Sequence, residues 1–150
     1  MPANTTFTSG AILTAAQMNN LPWGVVGYAT KTTTQTAITT EADLSGLSIT
    51  WTATAGRVYK FTAHINLTCA LGGDYTLFIN DGSNNIIEAI GKSATSDRQS
   101  NNLEVYVTGI TAGSKTYKLR FTAANDTTVF GSSTRASIAS QFFIEDVGAA

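Results

Sequence analysis

Cysteine, histidine and charge are all scarce in this chain of 150 residues. The one cysteine, Cys69, cannot close an internal disulfide, which excludes a disulfide-stapled secreted module. It ends an apolar alternation, so it reads as a buried, inert thiol. The one histidine, His64, falls on the polar phase of a strand pattern, and no nucleophile or orienting group can be nominated beside it. Only 13% of residues are charged and the net charge is -1. The basic stripe that nucleic-acid binding needs is missing. So is any long apolar run, which excludes a helical membrane span. The first Lys or Arg is Lys31, so the expectation is a chain without a secretory signal. Three Asn-x-Thr sequons, at Asn4, Asn66 and Asn125, then read as chance in a Thr-rich sequence.

The ten carboxylates are scattered. A glycosidase needs two facing carboxyl groups at a set separation. Asp74 and Asp97 could share one end of a sandwich, but nothing else supports that pair. The segment Asn80-Asp81-Gly82-Ser83-Asn84 lacks the alternating acids and terminal Glu of a calcium loop and reads as a hairpin turn. No glycine loop precedes a Lys-Ser/Thr pair. The sequence therefore nominates no catalytic residue, no metal ligand and no cofactor site, and the expectation is a protein that is not an enzyme.

What the chain has is alternation. Leu47, Ile49 and Trp51 alternate with Ser48, Thr50 and Thr52. After Ala55-Gly56 the pattern resumes with Tyr59, Phe61, Ala63, Ile65 and Leu67. A period of two places each apolar set on one strand face. The spacing predicts a hairpin over residues 47–67, a second over 74–91, and a third joining 103–108 to 117–122. Trp23–Lys31 reads as a first strand, 37–40 as a short edge strand, 127–131 as another, and 92–101 as a long polar loop. The closing run 138–147 puts Phe142 and Ile144 on one face and Phe143 on the other, as in a central or interface strand. Eight or nine strands at 8–12-residue spacing predict an antiparallel, jelly-roll-like β-sandwich over residues 23–150.

Residues 1–22 differ. Thr14 and Gln17 have capping-box spacing, Ala15-Ala16 favour helix, and Pro22 ends it. So short a helix is not stable alone. Phe7, Ile12, Leu13, Met18 and Leu21 are its docking groups, either on its own domain or on a neighbouring chain, with the neighbour favoured. Weak charge and a Thr-rich surface suit an assembly subunit, although Thr also simply suits strands.

The arm pattern Phe-x-x-Gly-x-x-Leu-Thr-Ala-Ala-Gln-Met-Asn, Phe7 to Asn19, resembles the amino-terminal segments of tailed-bacteriophage virion proteins. Thr39–Leu47, Ala53–Tyr59, Ala112–Leu119 and Ile144–Gly148 resemble a β-sandwich family of actinobacterial phages and prophages. The resemblance spans nearly the whole chain. It implies a jelly roll like that of tumour-necrosis-factor-type trimers, carried on a virion assembled in a bacterial cytoplasm. The expectation is a homotrimeric capsid decoration protein. Its arm would dock on the major capsid protein or another virion protein, and Tyr28, Tyr106 and Phe143 would lie at the trimer contacts. The alternative is a minor tail or receptor-binding protein that recognises a host-surface glycan. The family implies no catalytic residues.

Overall fold

The computed structural model describes residues 10, 12, 14–69, 71–131 and 139–150. A five-residue helix, α1 (Ala15–Asn19), precedes ten strands. They are β1 (Gly24–Thr30), β2 (Gln35–Ile38), β3 (Ala42–Ala53), β4 (Arg57–Cys69) and β5 (Gly73–Asp81), then β6 (Ile86–Ala94), β7 (Gln99–Val107), β8 (Gly113–Ala123), β9 (Thr127–Val129) and β10 (Gln141–Ala149).

Two antiparallel sheets form. One runs β1-β10-β4-β9-β2, with β7 also pairing β4, and the other runs β3-β8-β5-β6. The chain crosses between the sheets at β2–β3, β3–β4, β4–β5, β6–β7, β7–β8 and β8–β9, and among the described residues only β5–β6 is a hairpin of two successive strands paired in one sheet. With successive strands mostly in opposite sheets, the two layers form an antiparallel, jelly-roll-like β-sandwich.

The predicted alternation sets the core. Leu47, Ile49 and Trp51 from β3 meet Tyr59, Phe61, Ala63, Ile65 and Leu67 from β4, all buried. Trp51 sits edge-on to Tyr59 and Phe61, at centroid separations of 5.6 and 5.9 Å. Phe61 in turn packs on Tyr117 and Phe142. Such offset and edge contacts add to the burial term. Gly27 brings β1 onto β3: a Cβ there would overlap the Ile49 side chain.

Two of the three predicted hairpins do not form. β3 pairs β8, and β4 pairs β10 and β7. The Ala55-Gly56 turn carries the chain across the core instead of back along the same sheet, so the two apolar faces oppose one another. β7 and β8 likewise belong to opposite sheets. The expected polar loop 92–101 is mostly strand. β6 runs to Ala94, β7 starts at Gln99, and only residues 95–98 connect them. The closing strand begins at Gln141, and Ile138 lies outside the described residues. β2 occupies 35–38 where 37–40 was expected.

Candidate functional site

Register places side chains on the outer face of the first sheet in rows. Tyr28, Phe143, Thr62 and Glu104 form one row, across β1, β10, β4 and β7. Beside it run Glu145, Lys60 and Tyr106, and on the other side Thr30, Gln141, His64 and Asn102. The three residues expected at trimer contacts therefore share this face. Tyr28 and Phe143 touch, with centroids 4.9 Å apart. Tyr106 stands across β4, next to Lys60. Tyr28 and Tyr106 are 53% and 59% exposed. Lys60 pairs with Glu104 at 2.9 Å, and that hydrogen bond raises its pKa. His64 joins a polar ladder. Asn66 Nδ2 lies 3.2 Å from its Nε2, and Asn102 Oδ1 lies 2.6 Å from its Nδ1.

The outer face of the second sheet is different. It carries Ser48, Thr50 and Thr52 from β3, and Thr116, Lys118, Arg120 and Thr122 from β8. Asp43 accepts from Lys118 at 2.8 Å and from Arg120 at 2.9 Å, and Arg120 also binds Glu41. Lys118 and Arg120 hold the Asp43 carboxyl below its ordinary pKa. Its large apolar groups are half-buried Phe78 and, at one end, Ile86. This is an ordinary solvated face.

At one end of the sandwich the arm is tied down. The capping box forms as the sequence predicts, with Thr14 and Gln17 exchanging hydrogen bonds. Arg57 and Asp146, both buried, form a two-pronged ion pair, with Nε donating to Oδ2 at 2.8 Å. The same guanidinium donates to the carbonyl of Asn19 and, at 2.6 Å, to that of Leu21. It also lies 4.5 Å from the Trp23 ring centroid. Ala149 N donates to Asn20 O at 3.4 Å. The arm's root is thus held by its own domain, through polar groups. Its apolar side chains are not covered: Met18 and Leu21 are exposed, Ile12 is 91% exposed, and α1 buries no residue. Phe7 and Leu13 lie outside the described residues.

Sequence reasoning missed this clamp, yet it left a signal. Arg57 is in phase with Tyr59 and Phe61, and Asp146 with Phe142 and Ile144, so two opposite charges occupy core positions of neighbouring strands. It also missed a cleft of about 540 Å³ at the same end, between the β5–β6 turn and the β7–β8 connection.

The other chemical candidates come apart. Ser93 donates to Asp74, and Asp97 lies in the β6–β7 connection with no bond to it. Asp81 closes its own turn by accepting from Ser83 N and Asn85 N at 2.9 Å each, and from Asn85 Nδ2 at 2.8 Å. Cys69 is buried, with Sγ 3.1 Å from Gly72 O. Among the described residues no group of three or more His, Cys, Asp or Glu could hold a metal, and no helix is long and apolar enough to cross a membrane.

No protein-family model and no curated protein sequence matches the chain. Among solved structures, it is similar to a carbohydrate-binding module of Cellvibrio mixtus lichenase 5A in complex with cellotriose. Identity is 14% over 80% of this chain and 96% of that one, with a TM-score of 0.44. A CBM4 structure is 10% identical over 70% of this chain and 64% of that one, with a TM-score of 0.38. Likeness at this level assigns neither a family nor a ligand.

Proposed function

We propose that the chain is a structural, non-enzymatic subunit. It associates with copies of itself through the outer face of the β1-β10-β4-β7 sheet and uses its arm to dock on a larger assembly. The observation that carries the reading is the contrast between the two outer faces. One is a field of threonines and ion pairs, whereas the other displays Tyr28, Phe143 and Tyr106 around a small charged centre. Aromatic groups with polar neighbours are what protein interfaces enrich. Burying each aromatic would contribute roughly 1.5–3 kcal/mol before the cost of association.

The larger assembly is a phage virion and the oligomer a trimer, as the resemblance of the arm and body segments implies. The clamp divides the arm's labour. Arg57 fixes its root, so Ile12, Met18 and Leu21 project from a defined point toward the major capsid protein or another virion protein. A tail position with recognition of a host glycan is the second reading, favoured by the cleft at the clamped end.

Exposed residues make the test clean. In a Tyr28→Asp/Tyr106→Glu variant, both side chains face solvent in the single chain, so the fold is retained. The expected result is a folded monomer by sedimentation velocity, with a cooperative unfolding curve that no longer depends on protein concentration as the wild type's does. Removing residues 1–18 spares the clamp and is expected to leave the oligomer intact but abolish binding to particles. A double variant that assembles like the wild type overturns the interface. Full particle binding by the truncated chain overturns the arm's role.

A further inference from the structure

We propose that the cleft at the clamped end binds a short neutral glycan. Its walls are the β5–β6 turn and the β7–β8 connection, and its base is the start of β8. A volume of about 540 Å³ is within the usual range of small-ligand sites. Its lining combines two chemistries. Half-buried Val107 and the outer edges of the buried Ile110 and Tyr117 supply apolar surface, and Ser83, Thr108 and Ser114 supply hydroxyls. Those three side-chain hydroxyls bond to no protein group. Lys115 Nζ donates once, to Thr111 Oγ1 at 2.7 Å, which leaves two of its three donors. The Asp81 carboxylate accepts three N–H groups, which leaves part of its acceptor capacity.

A pyranose matches that arrangement. It has an apolar C–H face and a rim of hydroxyls that both donate and accept. Hydroxyls on the wall can do the same by rotating, whereas an apolar ligand would strip their water without replacement. Lys115 and Asp81, the charged groups that line the cleft, together add no net charge.

The wall is also held in shape. Asp81 fixes the β5–β6 turn through its own backbone donors, and Gly82 packs under Thr116, where an added Cβ would lie 3.5 Å from Thr116 Cβ. A preformed wall costs less ordering on binding than a loose one.

The proposal rests on the glycan-recognition reading above, to which it gives a site; it concerns one subunit and does not rest on the assembly reading. The experiment is a titration of the full-length chain followed by amide resonances. The probes are neutral trisaccharides of glucose, mannose, galactose and N-acetylglucosamine, with orthophosphate and a sialylated sugar as anionic controls. At least one neutral sugar is expected to move Gly82, Ser83, Thr108, Thr111 and Ser114 and to saturate, with a Kd of about 1 mM. A Thr108→Val/Ser114→Ala variant, near-isosteric and on the surface, is expected to weaken that sugar about tenfold while its other resonances stay in place. The proposal is overturned if no neutral sugar moves those amides, or if only the anions bind. Equal binding by the variant overturns it too, as do shifts that map to Tyr28 and Phe143. Sedimentation of the same samples reads assembly separately, so failure of either reading is seen alone.

Discussion

Replacing Arg57 by methionine removes a charge but keeps most of the stem that packs at the sandwich end. Asp146 would then retain only the Gly148 N–H at 3.0 Å, with its side chain fully buried. Removing one partner of a buried pair leaves the other charge unpaired and typically costs about 3–5 kcal/mol. The carbonyls of Asn19 and Leu21 lose their donors at the same time. Urea unfolding at fixed protein concentration measures the first effect. Hydrogen exchange over residues 14–23 measures the second. The expected result is a loss of about 3–5 kcal/mol together with fast exchange in α1 and the arm root. Adding Asp146→Asn to the variant should recover part of the stability, since no buried charge is then stranded, but not the protection of the arm. A loss under about 1 kcal/mol would refute the reasoning. So would unchanged exchange in the arm, since the arm would then be held by something other than this guanidinium.

Lys31 is fully buried, and burial lowers its pKa from 10.5 to about 8. Between those values the unfolded chain holds a proton that the native one does not, so stability should rise with pH from about 8 toward 10. Lys31→Met should flatten that slope in urea titrations. Above pH 10 the opposite trend should set in, because burial raises the pKa of Tyr75 and Tyr117 and their ionisation then favours the unfolded chain. Gly27→Ala should destabilise by about 1–3 kcal/mol, because β1 cannot keep its approach to Ile49. Cys69 should react with a maleimide only as fast as the chain opens, and denaturant should accelerate it.

The alternating segments were legible because burial on one strand face needs a period of two and nothing more distant. β4 is the clearest case: all five predicted inward residues, Tyr59 to Leu67, are in the core. Which strand pairs with which was not legible. Ala55-Gly56 is compatible both with a hairpin and with a corner that switches sheets, and the choice is made by β8, β10 and β7, up to about ninety residues away. The 92–101 segment hid its strands because β7 opens with Asn101 at a core position and with Ser100 and Asn102 outside, where they join the His64 ladder. A polar core residue breaks the pattern that marks a strand. The aromatics Tyr28, Tyr106 and Phe143 could be nominated from phase alone. The sequence could not say that Tyr106 stands across β4 from the other two. The end cleft is built from two connections that meet only in the folded chain, so no local signal announces it.

The mass of the full-length chain in solution, by native mass spectrometry across a dilution series, tests the assembly reading most directly. The account predicts a species of three times the 15.8 kDa chain mass that dissociates on dilution. A single 15.8 kDa species at every concentration, with Tyr28, Phe143 and Tyr106 facing water, would contradict it.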